Sequence, residues 1–249
     1  EDIGLVLHYQ PYYSNTSPPK LIGAEALVRC HHPQLGDLTP KQILPAVKSA
    51  NLVEAFDLWV MKQILQQRQI WAEQFQNFKH FQLSINLHAQ HLQTLCHPSN
   101  LLGSLLSSMT DLSWLTIEVT EDALISQSSN VKKSLKMLVD LGVKVAIDDF
   151  GVGYSNFLYL TELNAISTVK LDRTLLKRIE QDEMKRHKIE ALVKMLKQFG
   201  FETVAEGIET SAHFKAITGL KLDVLQGFFL NKPMMASMLA KTFETNTQN

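Results

Sequence analysis

The sequence predicts an α/β protein, a (β/α)8 TIM-like barrel whose first strand is antiparallel. Three observations lead there: short β-rich runs alternate with helical patterns, 249 residues suits one such barrel, and the first connection cannot hold a crossover helix.

The eight runs are Leu5–Tyr13, Ile22–Cys30, Phe81–Leu87, Leu115–Glu121, Lys144–Gly151, Thr168–Arg173, Glu202–Ile208 and Val224–Leu230. Between most of them, apolar residues recur at three- and four-residue spacing, as in Phe56, Val60, Ile64 and Leu65, or Leu135, Leu138, Val139 and Leu141. Gly142 and Gly200 each follow such a segment and precede a strand, the position of a helix-closing residue. Ser14–Lys20 is short, polar and carries Pro18-Pro19, so a hairpin joins strands 1 and 2 and makes them antiparallel. With no linker, repeat or low-complexity tract, residues 1–249 read as one barrel domain. The start at Glu1 rather than Met suggests a domain excised from a longer protein.

Hydrophobic residues make up 45% of the chain and charged residues 20%, enough apolar material for a sizeable core. A formal charge of -1 argues against a DNA- or RNA-polymer binder, which needs a basic face to neutralise phosphates. A small phosphorylated ligand held through metal ions stays compatible. Cys30 and Cys96 have no paired spacing, no signal peptide opens the chain, and no apolar run is long enough to span a bilayer. A cytoplasmic location without membrane contact from this segment follows as the expectation, while a parent protein is free to carry an anchor elsewhere.

Polar residues mark the strand ends. In order they are Glu25, Asn86, Glu118 with Glu121, Asp148-Asp149, Lys170 with Asp172, Glu206 with Glu209, and Gln226. In a barrel these ends converge on one mouth, where active sites of this fold lie. One acid at a strand end is ordinarily a solvated loop residue or a helix cap. A series on consecutive strands, inside apolar runs such as Val145-Ala146-Ile147-Asp148-Asp149-Phe150, is not explained that way. So many carboxylates would repel one another unless cations lay among them. The candidate ligands Glu25, Asn86, Glu118, Asp148 and Asp149 are all oxygen donors, which favours Mg2+ or Mn2+. Two such ions suit attack of water on a phosphodiester. Lys170, the one cation of the series, reads as orienting water or countering phosphate charge, against the plainer reading of a structural salt bridge. His31, His32, His88 and His91 read as surface or loop residues, and Cys30 as structural.

Seven motifs carry a family resemblance. Gly23-Ala24-Glu25-Ala26-Leu27-Val28-Arg29 contains Glu-Ala-Leu; Ser84-Ile85-Asn86-Leu87, Glu118-Val119-Thr120-Glu121 and Asp148-Asp149-Phe150-Gly151 follow. Lys170-Leu171-Asp172-Arg173, Ala205-Glu206-Gly207-Ile208-Glu209 and Gln226-Gly227-Phe228-Phe229 complete the order. Together they resemble the EAL-domain family of cyclic dimeric GMP phosphodiesterases, over about Tyr9 to Pro233. The resemblance implies a barrel with a reversed first strand and hydrolysis of cyclic dimeric GMP to linear pGpG. It implies metal ligation by Glu25, Asn86, Glu118, Asp148 and Asp149, with Lys170 and Glu206 acting on the attacking water. By the same likeness Glu121 holds the loop after Asp149, and Glu209 and Gln226 complete the site. Gln10, Leu27, Arg29, Asp172 and Phe228 fall at substrate-contacting positions, and Gly151–Leu160 is the expected homodimer contact. Val152, Cys30 and Lys48 depart from the usual pattern without removing any of these ligands. The competing reading is a non-catalytic cyclic dimeric GMP receptor; a Mg2+-dependent lyase shares the acidic mouth but not the ordered motifs.

Overall fold

The computed structural model describes residues 4–75, 78–125, 128–152 and 164–247, and eight of its strands close into a ring. The strands are β1 (Gly4–Ser14), β2 (Leu21–His32), β3 (Gly36–Leu38), β4 (Gln82–Asn86), β5 (Leu115–Thr120), β6 (Lys144–Phe150), β7 (Thr168–Leu171), β8 (Glu202–Ala205) and β9 (Val224–Gln226). The ring runs β1-β9-β8-β7-β6-β5-β4-β2 and back to β1, with β3 attached to β2 outside it. Strands β2 and β4 to β9 pair in parallel, and β1 is antiparallel to both β2 and β9, as the short first connection predicts.

The helices among the described residues are α1 (Pro40–Ser49), α2 (Val53–Gln74), α3 (Ala89–Thr94), α4 (Leu101–Ser107), α5 (Glu121–Ile125), α6 (Ser129–Asp140), α7 (Arg173–Leu176), α8 (Glu183–Gln198), α9 (Ser211–Thr218) and α10 (Ala236–Thr247). Helix α6 shows how the sequence sets such an element. The Ser128 side chain accepts from the Val131 N–H at its start, and Val131, Leu135 and Leu138 bury one stripe. Gly142 closes it at φ +81°, and Gly200 follows α8 at φ +86°, a backbone region where side chains are disfavoured.

Alternation along β2 divides the molecule into two chemistries. Ala24, Ala26, Val28 and Cys30 are buried in the main hydrophobic core, while Glu25 belongs to the opposite, barrel-lining face. Cys30 is therefore a core residue on the far side of the strand from the mouth, in keeping with its structural reading.

The strand ends differ from the predicted runs. Strand β7 stops at Leu171 because Asp172 caps α7, β8 stops at Ala205 and β9 at Gln226. Beyond them the Ile208 N–H bonds the Gln226 carbonyl at 3.2 Å and the Phe229 N–H bonds the Ile208 carbonyl at 2.9 Å. These turns cross the strand tops and take apolar residues that, read singly, look like strand. The short β3 lies in a stretch with no strand pattern; it exists because β2 overshoots the barrel and offers it an edge.

A second correction concerns the histidines. His91 is buried at 1% exposure, and His88 lies half-buried beside it. Asp57, 2% exposed on the core face of α2, meets His88 Nδ1 at 2.7 Å and His91 Nδ1 at 2.9 Å. Burial opposes charge on Asp57 and His91, yet the hydrogen bonds outweigh it, so Asp57 is held below the usual carboxylate range and His91 above the usual imidazole range. The stabilisation from Asp57 is present above its unfolded pKa near ~4 and is lost as pH falls through its folded value. That from His91 is present below ~6.5 and is lost as pH rises through its folded value. Asp57→Asn is expected to cost about 3 kcal/mol at pH 6, measured by urea unfolding, and to flatten both flanks of the stability profile. An unchanged profile would remove this cluster from the account of stability.

Candidate active site

The C-terminal ends of the parallel strands carry an acidic cluster around one ammonium group. Lys170, 3% exposed on β7, places Nζ 2.6 Å from Glu118, 2.7 Å from Glu206, 3.0 Å from Asp148 and 3.6 Å from Glu25. Glu25 is anchored at both oxygens: Asn86 Nδ2 donates to one at 2.8 Å and Gln226 Nε2 to the other at 2.8 Å. Register explains the meeting, since Asn86 on β4 is the partner of Glu118 on β5, and Gln10 on β1 is the partner of Glu25 on β2.

Consecutive strand residues ordinarily point to opposite faces, so Asp148 and Asp149 would not act together in a regular strand. The β6–β7 pairing shifts register between Ile147 and Phe150, and Asp149 takes φ +54°, a left-handed conformation that Asp tolerates better than most residues. The result is a group in which carboxylate oxygens of Asp148, Asp149 and Glu206 all lie within 4.8 Å of one another.

The charges do not balance. Glu25, Glu118, Asp148, Asp149 and Glu206 face the single ammonium of Lys170. Burial, joined by repulsion from Glu25 and Asp148, pushes Glu118 well above the usual carboxylate range, and burial with Asp148 and Asp172 nearby raises Asp149. Burial first, and then Asp148 and Glu25, lift Glu206 to about 8, although Lys170 opposes the rise. Burial disfavours the charge on Lys170, but the carboxylates around it prevail and hold it well above its ordinary value. An oxygen-only donor set with excess negative charge fits hard divalent cations.

Residues 1–233 match the family model of the EAL domain. The chain belongs to the EAL-domain family. Its similarity to the bifunctional diguanylate cyclase/cyclic di-GMP phosphodiesterase MucR of Pseudomonas aeruginosa is 34% identity, over 94% of this chain and 34% of that protein. The chain thus spans about a third of the length of the curated relatives it matches. Among solved structures, the MucR phosphodiesterase in complex with c-di-GMP superposes with a TM-score of 0.82 at 34% identity, covering 94% of both chains. Klebsiella pneumoniae BlrP1, in a complex with calcium and cyclic di-GMP, gives 0.76 at 28% identity, over 93% of this chain and 56% of that one.

In this EAL domain the residues expected from sequence divide into three groups. Glu25, Asn86, Glu118, Asp148, Asp149, Lys170, Glu206 and Gln226 form the cluster just described. Gln10, Leu27, Asp172, Glu209 and Phe228 line the adjoining cavity of about 240 Å3, with Phe228 54% exposed at its edge. Arg29 and Glu121 line neither the cluster nor that cavity. Arg29 donates to the Val28 carbonyl at 2.8 Å on the part of β2 above the mouth, and Glu121 is buried at the start of α5. Of the expected dimer contact, Gly151 and Val152 are described; residues 153–160 lie outside the described residues, as does most of the loop assigned to Glu121. Sequence reading missed Arg173 and Gly207, which also line the cavity. Gly207, at φ +67°, has no side chain because a Cβ there would come within 2.3 Å of Arg173 Cβ. Their positions next to Asp172 and Glu206 in the motifs were the available signal.

No described helix is long and apolar enough to cross a membrane.

Proposed function

We propose that this EAL domain hydrolyses cyclic dimeric GMP to linear pGpG. The observation that carries the reading is the convergence of Asp148, Asp149 and Glu206 beside Lys170 at the barrel mouth. Glu25, Asn86, Glu118, Asp148 and Asp149 would hold two Mg2+ or Mn2+ ions. Such ions, when bound, lower the pKa of water and neutralise phosphate charge.

The chain's own side chains do the rest. Asn86 and Gln226 fix both oxygens of Glu25, so the carboxylate is presented in one orientation. Lys170 holds Glu118, Asp148 and Glu206 together and supplies positive charge where the attacked phosphorus gains negative charge. Water adds to phosphorus, the bond to one ribose 3′ oxygen breaks, and that oxygen takes up a proton. Glu206, 2.7 Å from Lys170 Nζ, would exchange a proton with the attacking water. Gln10, Leu27, Asp172 and Phe228 would position the dinucleotide, with Glu209 at the edge of the same cavity. Arg29 and Glu121 keep supporting roles, as an upper-wall contact and a brace for the loop after Asp149. Homodimerisation through Gly151–Leu160 belongs to the same proposal, and Val152 presents an apolar side chain that is 61% exposed.

The test is incubation with cyclic dimeric GMP in Mg2+, in Mn2+ and in chelator, with chromatographic separation of nucleotides. Metal-dependent pGpG is the expected result. Binding without product under every condition would replace the enzyme with a receptor.

A further inference from the structure

Beside the catalytic mouth lies a second cavity of about 470 Å3 with a different electrostatic character. It shares Arg173, Gly207 and Glu209 with the mouth, so the two spaces have a common wall. Arg173, Lys177 and Arg178 supply three cations to its lining, and Glu180 and Glu209 supply two carboxylates. Among the described residues, none of the three cations forms an ion pair.

The segment bearing them is built rigidly. Asp172 caps α7 by accepting from the Thr174 N–H at 2.8 Å, and Leu176 and Ile179 are buried. Lys185 Nζ donates to the carbonyls of Thr174 and Lys177 at 3.3 and 2.6 Å, and His213 Nε2 meets the Leu176 carbonyl at 2.9 Å. Arg178 is held at φ +60° in the turn that follows. The cations are thus fixed at their bases while their charged ends form no ion pair among the described residues.

We propose that this basic cavity is a binding subsite for a phosphate monoester, the terminal phosphate of a linear guanine nucleotide. The idea rests on the proposed hydrolysis only for which nucleotide arrives there. Ring opening turns a phosphodiester with one negative charge into a monoester with up to two. Without divalent ions the mouth, where carboxylates outnumber the ammonium, repels that added charge, whereas Arg173, Lys177 and Arg178 offer cations along and beyond the Arg173–Gly207 wall. Arg173 and Arg178 are suited to paired hydrogen bonds with phosphate oxygens, and Lys177 contributes a point charge.

Calorimetric binding in chelator tests this without any turnover, using two ligand pairs that differ by one phosphate: pGpG against GpG, and GMP against guanosine. The phosphorylated member is expected to bind about tenfold more tightly, and less so at high salt. A preference within the pGpG pair alone assigns the cavity to the linear dinucleotide; one within both pairs assigns it to guanine nucleotides generally. The double variant Lys177→Gln, Arg178→Asn should erase the preference, Asn being chosen because it tolerates the left-handed backbone. Its affinity for cyclic dimeric GMP should change by less than about twofold, since that ligand has no terminal phosphate. Equal binding within both pairs, or a preference that survives the double variant, would overturn the subsite. Failure of the hydrolysis proposal would show instead as absent pGpG in the metal assay and would leave the GMP comparison intact.

Discussion

Replacing Lys170 with methionine is expected to cut turnover sharply and to destabilise the protein by about 3–5 kcal/mol at neutral pH. The ammonium is the shared partner of four carboxylates, at 2.6 to 3.6 Å. Without it Glu118, at 3% exposure, loses its closest cation and must either bury an uncompensated charge or take up a proton. The deficit should depend on pH in a fixed direction. Carboxyls whose folded pKa lies above the unfolded value lose stability as pH rises between the two. For Glu206 in the wild type that window already runs from an unfolded value near ~4.3 to about 8, and removing Lys170 widens it. Unfolding in chelator at pH 5 and pH 8 should therefore show the smaller deficit at pH 5. An equal deficit at both would mean that these acids do not depend on the lysine. Because its proposed role grows as charge develops on the phosphate, Lys170→Ala should lower kcat more than it raises KM. Equal losses would make it a binding residue.

Glu25→Gln should reduce turnover on the order of 10^3-fold while leaving the fold intact. The amide keeps the size of the side chain and a carbonyl acceptor for Asn86 or Gln226, but removes the charge offered to a divalent ion. Glu25→Ala should abolish turnover and also free the Asn86 and Gln226 amides that now bond it at 2.8 Å. The two variants together separate charge from architecture. Turnover by Glu25→Gln within about tenfold of wild type would remove Glu25 from the ion-binding set.

Much of this arrangement could be read from the chain because strand ends in a barrel are spatially equivalent. A carboxylate, amide or lysine at the end of each run is a local pattern, and parallel register brings those ends to one mouth whatever lies between them. The reversed first strand was legible for a similar reason, since Ser14–Lys20 has no room for another connection. What escaped depends on contacts between distant segments or on single backbone angles. Asp57 and His88 stand 31 residues apart, and their meeting needs α2 to pack against the top of β4. Asp57 did leave one trace, an acid on the buried stripe shared with Val60, Met61 and Ile64. The turn at Asp149 is invisible as well, because Val-Ala-Ile-Asp-Asp-Phe alternates equally well without it. Arg173 drew no notice because a cation after a strand is common, and only the bare Gly207 against it shows that the two form a wall.

The antiparallel course of β1 also decides where a probe can be attached. Gln10 pairs with Glu25 at the level of the acidic cluster, whereas Gly4 pairs with His31, six residues further along the ribbon. At roughly 3.3 Å per residue, the leading end stands about 20 Å above the carboxylates, on the open side of the barrel. In a barrel whose strands all ran one way, the leading end would lie at the opposite pole. A fluorophore coupled at Val6, 47% exposed on the same strand, would accordingly stand on the side of the barrel mouth. Its emission would report occupancy of the mouth in real time with no label inside the pocket.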